Sequence, residues 1–511
     1  LGLFGNKSDH PLANLKSVQE LLNNLPATDM VKALEEAGQW LEELFDPEND
    51  FRLDHKFAVL RMLDDAAHPH LRKVIQGYFT VAPLASFQEY RLWNAMNSYY
   101  AFSEQGYQKV LLGLRKGDKG SSSIKSAIPL ICCRGIYAIF GRLECAAVRY
   151  AVIDPQLWIH LADYYDHAEV EQCLDEETQL YGGAAANSTV QRMFAGLVIW
   201  YSISVGALRP LDMHIAKCLL MHLRKYFTAN EKVQADSLFM FDLANPVKPS
   251  RTKDGGAMYP LSTRFVSMGG PLGYLESLLK TLGKDHVPAE LNFGVAYSPE
   301  AVIVVVNRIA SYCKSPLPSR RHQRRKISMS VKVLSGFDNV VEQSDVGLNT
   351  DSAKKETWEV EDMSATGLSC VLPAGNTSTV KIGALIAFQP EKAAPWGAGI
   401  VRRLRRDEDN NLHVGVRVLA NKIVGVELHD PEDNLARLRQ TALLIERTDQ
   451  QNGESWMLMK PDTFSLNYSP AMKLGTRQFL LLPVGLVEKG ADFDWVTYRK
   501  MVSEVDSEAK Y

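Results

Sequence analysis

The sequence predicts a multidomain α+β chain: an all-α N-terminal domain, then an antiparallel β-rich domain with a β-rich C-terminal extension. Three observations carry this. Apolar residues recur at helical spacing from residue 12 to about 230, a proline-containing stretch (Ser315-Pro316-Leu317-Pro318-Ser319) breaks the pattern, and beyond it apolar and polar residues alternate, as in Ile327, Met329, Val331 and Val333. A period near 3.6 marks an amphipathic helix, and a period of two marks a strand with one buried face. At 511 residues the chain is long enough for about two to four domains with large cores.

The helical part begins with Leu15, Val18, Leu21 and Leu22, continues with Val31, Leu34, Ala37, Trp40, Leu41 and Leu44, and then with Phe57, Leu60, Met62 and Leu63. Turn signals at Pro26-Ala27-Thr28-Asp29 and Asp46-Pro47-Glu48-Asn49-Asp50 separate these runs. Further helices are expected over 86–105, 124–151, 155–172, 186–204 and 208–228. Trp158, Leu161, Ala162 and Tyr165 have the spacing of the first helix of a tetratricopeptide repeat, but no 34-residue period recurs and they read as bundle core. Between 231 and 314 the pattern is mixed. Ser237–Leu243 and Ala257–Met268 look extended, and 271–283 and 298–312 return to helix.

After the proline stretch come two short motifs. The first is Arg320-Arg321-His322-Gln323-Arg324, which leads into the alternating run at Ile327. Arginines at the mouth of a strand can fork onto guanine O6 and N7, pair with phosphate oxygens and stack on a base. The second is Asp362-Met363-Ser364-Ala365-Thr366-Gly367, between a strand at Trp358–Glu361 and another at Leu368–Leu372. A carboxylate there accepts from guanine N1 and N2, a serine hydroxyl bonds a phosphate or base edge, and a glycine allows close approach.

The two motifs in this order, each at the edge of a strand, resemble those of the PilZ family of cyclic di-GMP receptors. Arg320 and Arg324 match the two arginines of its first motif and Arg321 a neighbouring basic position, while Asp362, Ser364 and Gly367 match its second. The downstream hairpin is similar too: Gly397–Leu404, a turn at Asp407–Asn411, and His413–Leu419. The resemblance covers residues 319 to 428 and implies an antiparallel β-barrel. It also implies a ligand-binding set of Arg320, Arg321, Arg324, Asp362, Ser364 and Gly367, with cyclic di-GMP as ligand. The chain departs from the family in a long polar insertion at Ser335–Lys355 and in the residues that follow the barrel. The helical domain resembles no recognised family.

Past residue 428, strands are expected over Leu435–Arg447, Ser455–Lys460, Thr463–Tyr468, Gln478–Val487 and Phe493–Arg499, which would extend the barrel or pack elsewhere. The expected division is therefore 1–230 helical, 231–314 mixed and completing the N-terminal unit, 315–428 barrel, and 429–511 C-terminal extension.

Composition narrows the function. With 57 Lys and Arg against 60 Asp and Glu, no global field draws the chain to nucleic acid or to a membrane surface. The cysteines form no Cys-x-x-Cys pair, which fits reduced thiols and a cytoplasmic setting. The first residues carry no secretory apolar segment, and Ala127–Phe140, interrupted by Arg134, falls short of a membrane span. Asn6-Lys7-Ser8-Asp9 mimics a GTPase base-reading motif but lacks its phosphate loop. His160, Asp163 and His167 share a helical face as metal ligands would, yet have no second cluster, and His68-Pro69-His70 looks like a loop pair. No catalytic signature, cofactor or metal site is expected, nor a cyclase or phosphodiesterase.

The leading expectation is thus a cytoplasmic, non-enzymatic cyclic di-GMP receptor that couples nucleotide binding to reorientation of a helical domain serving a protein partner. Two other functions fit less well. One is a ligand-free adaptor acting through the helical domain. The other is a nucleic-acid binder using Arg320–Lys326 with Arg402, Arg403, Arg405 and Arg406, runs that lack the interleaved aromatics single-strand binding uses.

Overall fold

The computed structural model describes residues 10–80, 84–182, 187–253, 258–291, 293–314, 323–344, 355–375, 380–391, 395–431, 439–445, 454–474 and 477–502. The chain divides into two compact units. The first comprises Leu1–Arg149, Ile153–Val205 and Pro210–Pro318, and the second Tyr150–Val152, Gly206–Arg209 and Ser319–Tyr511.

In the first unit, helices α1 (Leu15–Asn23), α2 (Met30–Leu44), α3 (Leu53–Tyr78), α4 (Ser86–Lys116), α5 (Ile128–Ala147), α6 (Gln156–Val170), α7 (Val190–Ser204) and α8 (Pro210–Leu223) follow one another. Several starts are capped by side chains. Asn14 accepts from Lys16 N, Asp29 from Lys32 N and Thr189 from Arg192 N. Two-residue strands β1 (Thr178–Gln179) and β2 (Asn187–Ser188) form a small hairpin. Strands β3 (Thr228–Asn230), β4 (Ser237–Asp242), β5 (Ser250–Arg251) and β6 (Thr263–Ser267) form a sheet of order β3-β6-β4-β5. Helices α9 (Leu272–Leu282) and α10 (Pro299–Cys313) complete the unit.

Helix α5 is the centre of this bundle. A Cβ at Gly135 would run into the Tyr164 ring and one at Gly141 into the Tyr100 ring, so glycine lets α6 and α4 approach closely. With the preceding turn, Ser121–Ala147 is long and apolar enough to cross a membrane by length and composition, contrary to the sequence expectation. Its apolar window is 72% buried inside the fold. The reason for the apolar composition is packing on nearly all sides.

Two clusters of charge are buried in this unit. Asp64 accepts from the hydroxyls of Tyr99 (2.9 Å), Tyr107 (2.7 Å) and Tyr181 (3.0 Å) and from Arg134 Nη1 (3.1 Å). Arg134 also donates to Leu180 O at 2.8 Å and to Asp65. Separately, Glu144 accepts from Lys217 Nζ at 2.7 Å and lies 2.9 Å from His214 Nδ1.

A second sequence expectation fails in this unit. His68-Pro69-His70 is no loop pair but part of α3, which runs through Pro69. His68 stacks flat on Tyr181, ring centroids 3.6 Å apart. Burial, helped by the Arg72 and Arg134 charges, pushes its pKa down to about 4.

The second unit holds two closed six-stranded barrels. The first contains β7 (Arg325–Ser335), β8 (Glu356–Ser364), β9 (Gly367–Leu372), β10 (Leu385–Pro390), β11 (Gly397–Arg406) and β12 (Leu412–Ala420), in the order β10-β11-β12-β9-β8-β7. Its interior is filled by Val331, Val333, Trp358, Val360, Leu368, Cys370, Phe388, Val401, Val414 and Val416. Helix α11 (Phe337–Ser344) follows β7, and Gly336, at φ 94°, makes the bend between them. The insertion expected at Ser335–Lys355 therefore starts as a helix, because Phe337 and Val340 are buried against the outer face of the barrel. The rest of it, 345–354, lies outside the described residues. The Tyr150–Val152 and Gly206–Arg209 segments bond along β11, with Leu404 N donating to Gly206 O at 3.0 Å and Arg406 N to Tyr150 O at 3.1 Å.

The second barrel contains β13 (Ile423–His429), β14 (Gln440–Ile445), β15 (Glu454–Met459), β16 (Ala471–Leu474), β17 (Arg477–Lys489) and β18 (Asp494–Val502). Its order is β13-β14-β15-β18-β17-β16. The C-terminal residues thus make a barrel of their own, and the expected boundary at 428 falls inside its first strand. A strand expected at Thr463–Tyr468 is instead irregular. The chain turns at Asp462, at φ 59°, and pairs only from Ala471 onward.

Between the barrels lies a shared core. Leu334, Phe337, Leu385, Ile400 and Leu419 from the first meet Ile423, Leu443, Ile445, Leu458, Phe493 and Trp495 from the second. Asp492, in the turn before β18, accepts from Phe337 N at 2.8 Å and Leu385 N at 2.9 Å.

Candidate nucleotide-binding site

The β8–β9 hairpin pairs Ser364 with Gly367 across Ala365 and Thr366, and Val418 N donates to Thr366 O at 3.0 Å, which ties the tip to β12. The pairing is irregular between Val360 and Asp362. With Val360 and Met363 both packed on the interior, this bulge leaves Asp362 on the outer face together with Ser364. Leu368 points inward, so Gly367 lies on the outer face as well.

Arg324 immediately precedes β7 and reaches this face. Its Nη1 donates to Asp362 Oδ1 at 2.6 Å, and both side chains are about 30% exposed (29% and 30%). A Cβ added to Gly367 would stand 3.6 Å from Arg324 Nη2, 3.6 Å from Ser364 Oγ and 3.1 Å from Val416 O. Arg324, Asp362, Ser364 and Gly367 therefore converge on one patch. Arg320 and Arg321, with His322, lie outside the described residues.

Chemically the patch combines a guanidinium fork, a carboxylate acceptor, a hydroxyl and a floor with no side chain. A purine can lie on such a floor with its donor edge toward the carboxylate and its acceptors toward the guanidinium. The Arg324–Asp362 bond holds the two groups in place, and because both are solvent-accessible it costs little to rearrange. Below the patch, burial and then the Glu361 and Asp362 charges push the Cys370 thiol up to about 12, so it is a neutral packing group.

Residues outside the two motifs also belong to this neighbourhood. Lys326 is directly opposed to Asp362 in the β7–β8 register, and Arg417 to Gly367 in the β12–β9 register. His413 bridges two carboxylates, with Nδ1 3.2 Å from Glu361 and Nε2 3.0 Å from Asp407. Strand register was the signal that would have found Lys326 and Arg417, and motif spacing does not contain it.

Residues 16–232 match a family model, "Cyclic-di-GMP receptor FimW, N-terminal domain". The helical domain, expected to resemble no recognised family, is thereby corrected. The match runs from α1 to just past β3 and includes neither barrel, so it is independent of the two motifs. A comparison with curated proteins returns no match.

Elsewhere, of the three residues that share a helical face as metal ligands would, two have ordinary partners. Asp163 accepts from Arg115 at 2.6 Å and Gln108 at 2.9 Å, and His160 bonds Glu104. Among the described residues, no group of three or more His, Cys, Asp and Glu side chains is arranged to hold a metal. In the second basic run, Arg402 forks onto Glu488 with both contacts at 2.6 Å, and Arg406 donates to Asn410 O at 3.0 Å.

Proposed function

We propose that this protein is a non-enzymatic cyclic di-GMP receptor that holds the dinucleotide on the outer face of its first barrel, in the manner of PilZ domains. The observation that carries this is the convergence of Arg324, Asp362 and Ser364 around Gly367. A family match to a cyclic-di-GMP receptor, on a separate part of the chain, supports the same ligand. Asp362 takes the N1 and N2 donors of a guanine, Arg324 its acceptor edge or a phosphate, and Ser364 the remaining polar edge. Arg320 and Arg321 supply further guanidinium groups from the stretch that joins the two units. Capture of ligand by that stretch alters how the helical unit is presented to a protein partner.

Isothermal titration of the whole chain with cyclic di-GMP, GTP and cyclic AMP tests this on wild type, Arg324→Ala and Asp362→Ala. Saturable binding of the cyclic dinucleotide alone, lost in both variants, is expected. Flat traces from folded wild-type protein overturn it.

A further inference from the structure

Helix α8 carries His214 and Cys218 one helical turn apart, a spacing that puts both on one face. Their side chains meet, with His214 Nε2 3.6 Å from Cys218 Sγ. The other ring nitrogen, Nδ1, lies 2.9 Å from Glu144 on α5, and the Phe79 ring stacks flat on the imidazole with 4.0 Å between centroids. A nucleophile, a base within its reach and a carboxylate that orients the base form the arrangement that activates a thiol.

The charges around the ring suit that task. Burial works against a charged imidazole, yet the Cys218 and Glu144 charges outweigh it and raise the His214 pKa to about 10. Glu144 has a second counter-charge in Lys217 Nζ, 2.7 Å away, so it stays paired when the ring gives up a proton. His214, Glu144 and Lys217 are buried, whereas Cys218 is only partly so. Of the seven cysteines, only Cys218 and Cys313 are not fully buried. Cys313 Sγ donates to Ile309 O at 3.7 Å, and burial pushes its thiol up to about 11.

We propose that Cys218 is a modification site, a thiol that His214 activates for oxidation by hydroperoxides, with Glu144 orienting the ring. In the step, the Sγ proton passes to His214 Nε2 and a sulfur lone pair attacks one peroxide oxygen. The O–O bond breaks, and sulfur is oxidised by two electrons to a sulfenic acid. The leaving oxygen takes the proton from Nε2 and departs as water when the oxidant is hydrogen peroxide. The helical unit thereby carries an oxidative input that stands whether or not the receptor reading holds.

The test is brief exposure of the whole native chain to hydrogen peroxide at neutral pH in the presence of dimedone, which traps sulfenic acids. Peptide mass spectrometry then reads the adduct at each cysteine in wild type, His214→Gln and Glu144→Gln. In wild type, Cys218 is expected to be trapped at least about tenfold faster than Cys313, which is likewise half-buried. His214→Gln should bring the Cys218 rate down to that of Cys313 and leave the Cys313 rate unchanged. Glu144→Gln should lower the ratio of the two rates part of the way. Loosening of the fold would not give that result, because it would also bring adducts to the buried Cys132, Cys133 and Cys145. Equal rates at Cys218 and Cys313 in wild type, or a Cys218 rate untouched by His214→Gln, overturns the proposal. If His214→Gln does not fold, the wild-type comparison decides.

Discussion

Arg134 and Arg324 are both paired with aspartate, yet their surroundings give them opposite consequences. The Arg134 side chain is 3% exposed, and its loss leaves Asp64 buried without its counter-charge. Breaking such a pair typically costs about 3–5 kcal/mol, so Arg134→Ala should shift the denaturant midpoint strongly downward. Arg324→Ala removes a pair that water already screens, and should cost less than about 1 kcal/mol while removing nucleotide binding. Equal stability losses in the two variants would show that Arg324 is structural. His68 gives a prediction of different sign. Its folded pKa, about 4, lies below the usual value of 6.5, so burying it neutral adds stability that is full above pH 6.5 and disappears as pH falls through 4. His68→Phe should flatten the melting temperature between those pH values. At this scale the sequence was legible where a hairpin brought its own two ends together, as at Asp362, Ser364 and Gly367. It was not legible for His68, because Pro69 is a local loop signal that the packing of α3 overrides, nor for Arg417, whose relation to Gly367 exists only in strand register.

Helix α5 and strand β14 show what an element loses when both of its faces are buried. Such a helix shows little amphipathic contrast, and its apolar run mimics a membrane span. What distinguishes it is the glycines. Gly141→Ala places a Cβ against the Tyr100 ring and should destabilise by about 1–3 kcal/mol through overpacking. By contrast Gly182→Ala, where a Cβ would meet nothing within 4 Å, should change little, and thermal melts of the two variants give the comparison. In β14, Ala442 and Leu444 face the second barrel's interior, while Leu443 and Ile445 face the core it shares with the first. The period-two signal disappears in such a strand, which is why the residues after 428 looked like strands of unknown allegiance. The β11–β12 hairpin kept its signal because a clear turn, closed by Asp407 N to Asn411 O at 3.1 Å, separates its halves.

Across the second unit, the two barrels cannot be independent if the core between them is what the packing shows. Leu385, Ile400, Leu443, Ile445, Leu458 and Phe493 are at most 1% exposed, and each barrel supplies part of that set. Opening either barrel would bare this apolar surface on the other, at roughly 25 cal/mol per Å² exposed. The unit should therefore unfold as one cooperative body. Leu481 offers a test, since it lies wholly inside the second barrel and away from the shared core. Leu481→Ala should cost about 2–5 kcal/mol. Amide hydrogen exchange of β8 and β9, in the first barrel, should then speed up by the factor that cost implies. Were the barrels separate, exchange in β8 and β9 would stay at the wild-type rate while only β13–β18 accelerated. Cooperative loss would also mean that a chain ending at Ala420 leaves Ile400 and Leu385 exposed and forms no stable barrel. The face around Gly367 on which Arg324, Asp362 and Ser364 converge would then depend on the second barrel for its existence.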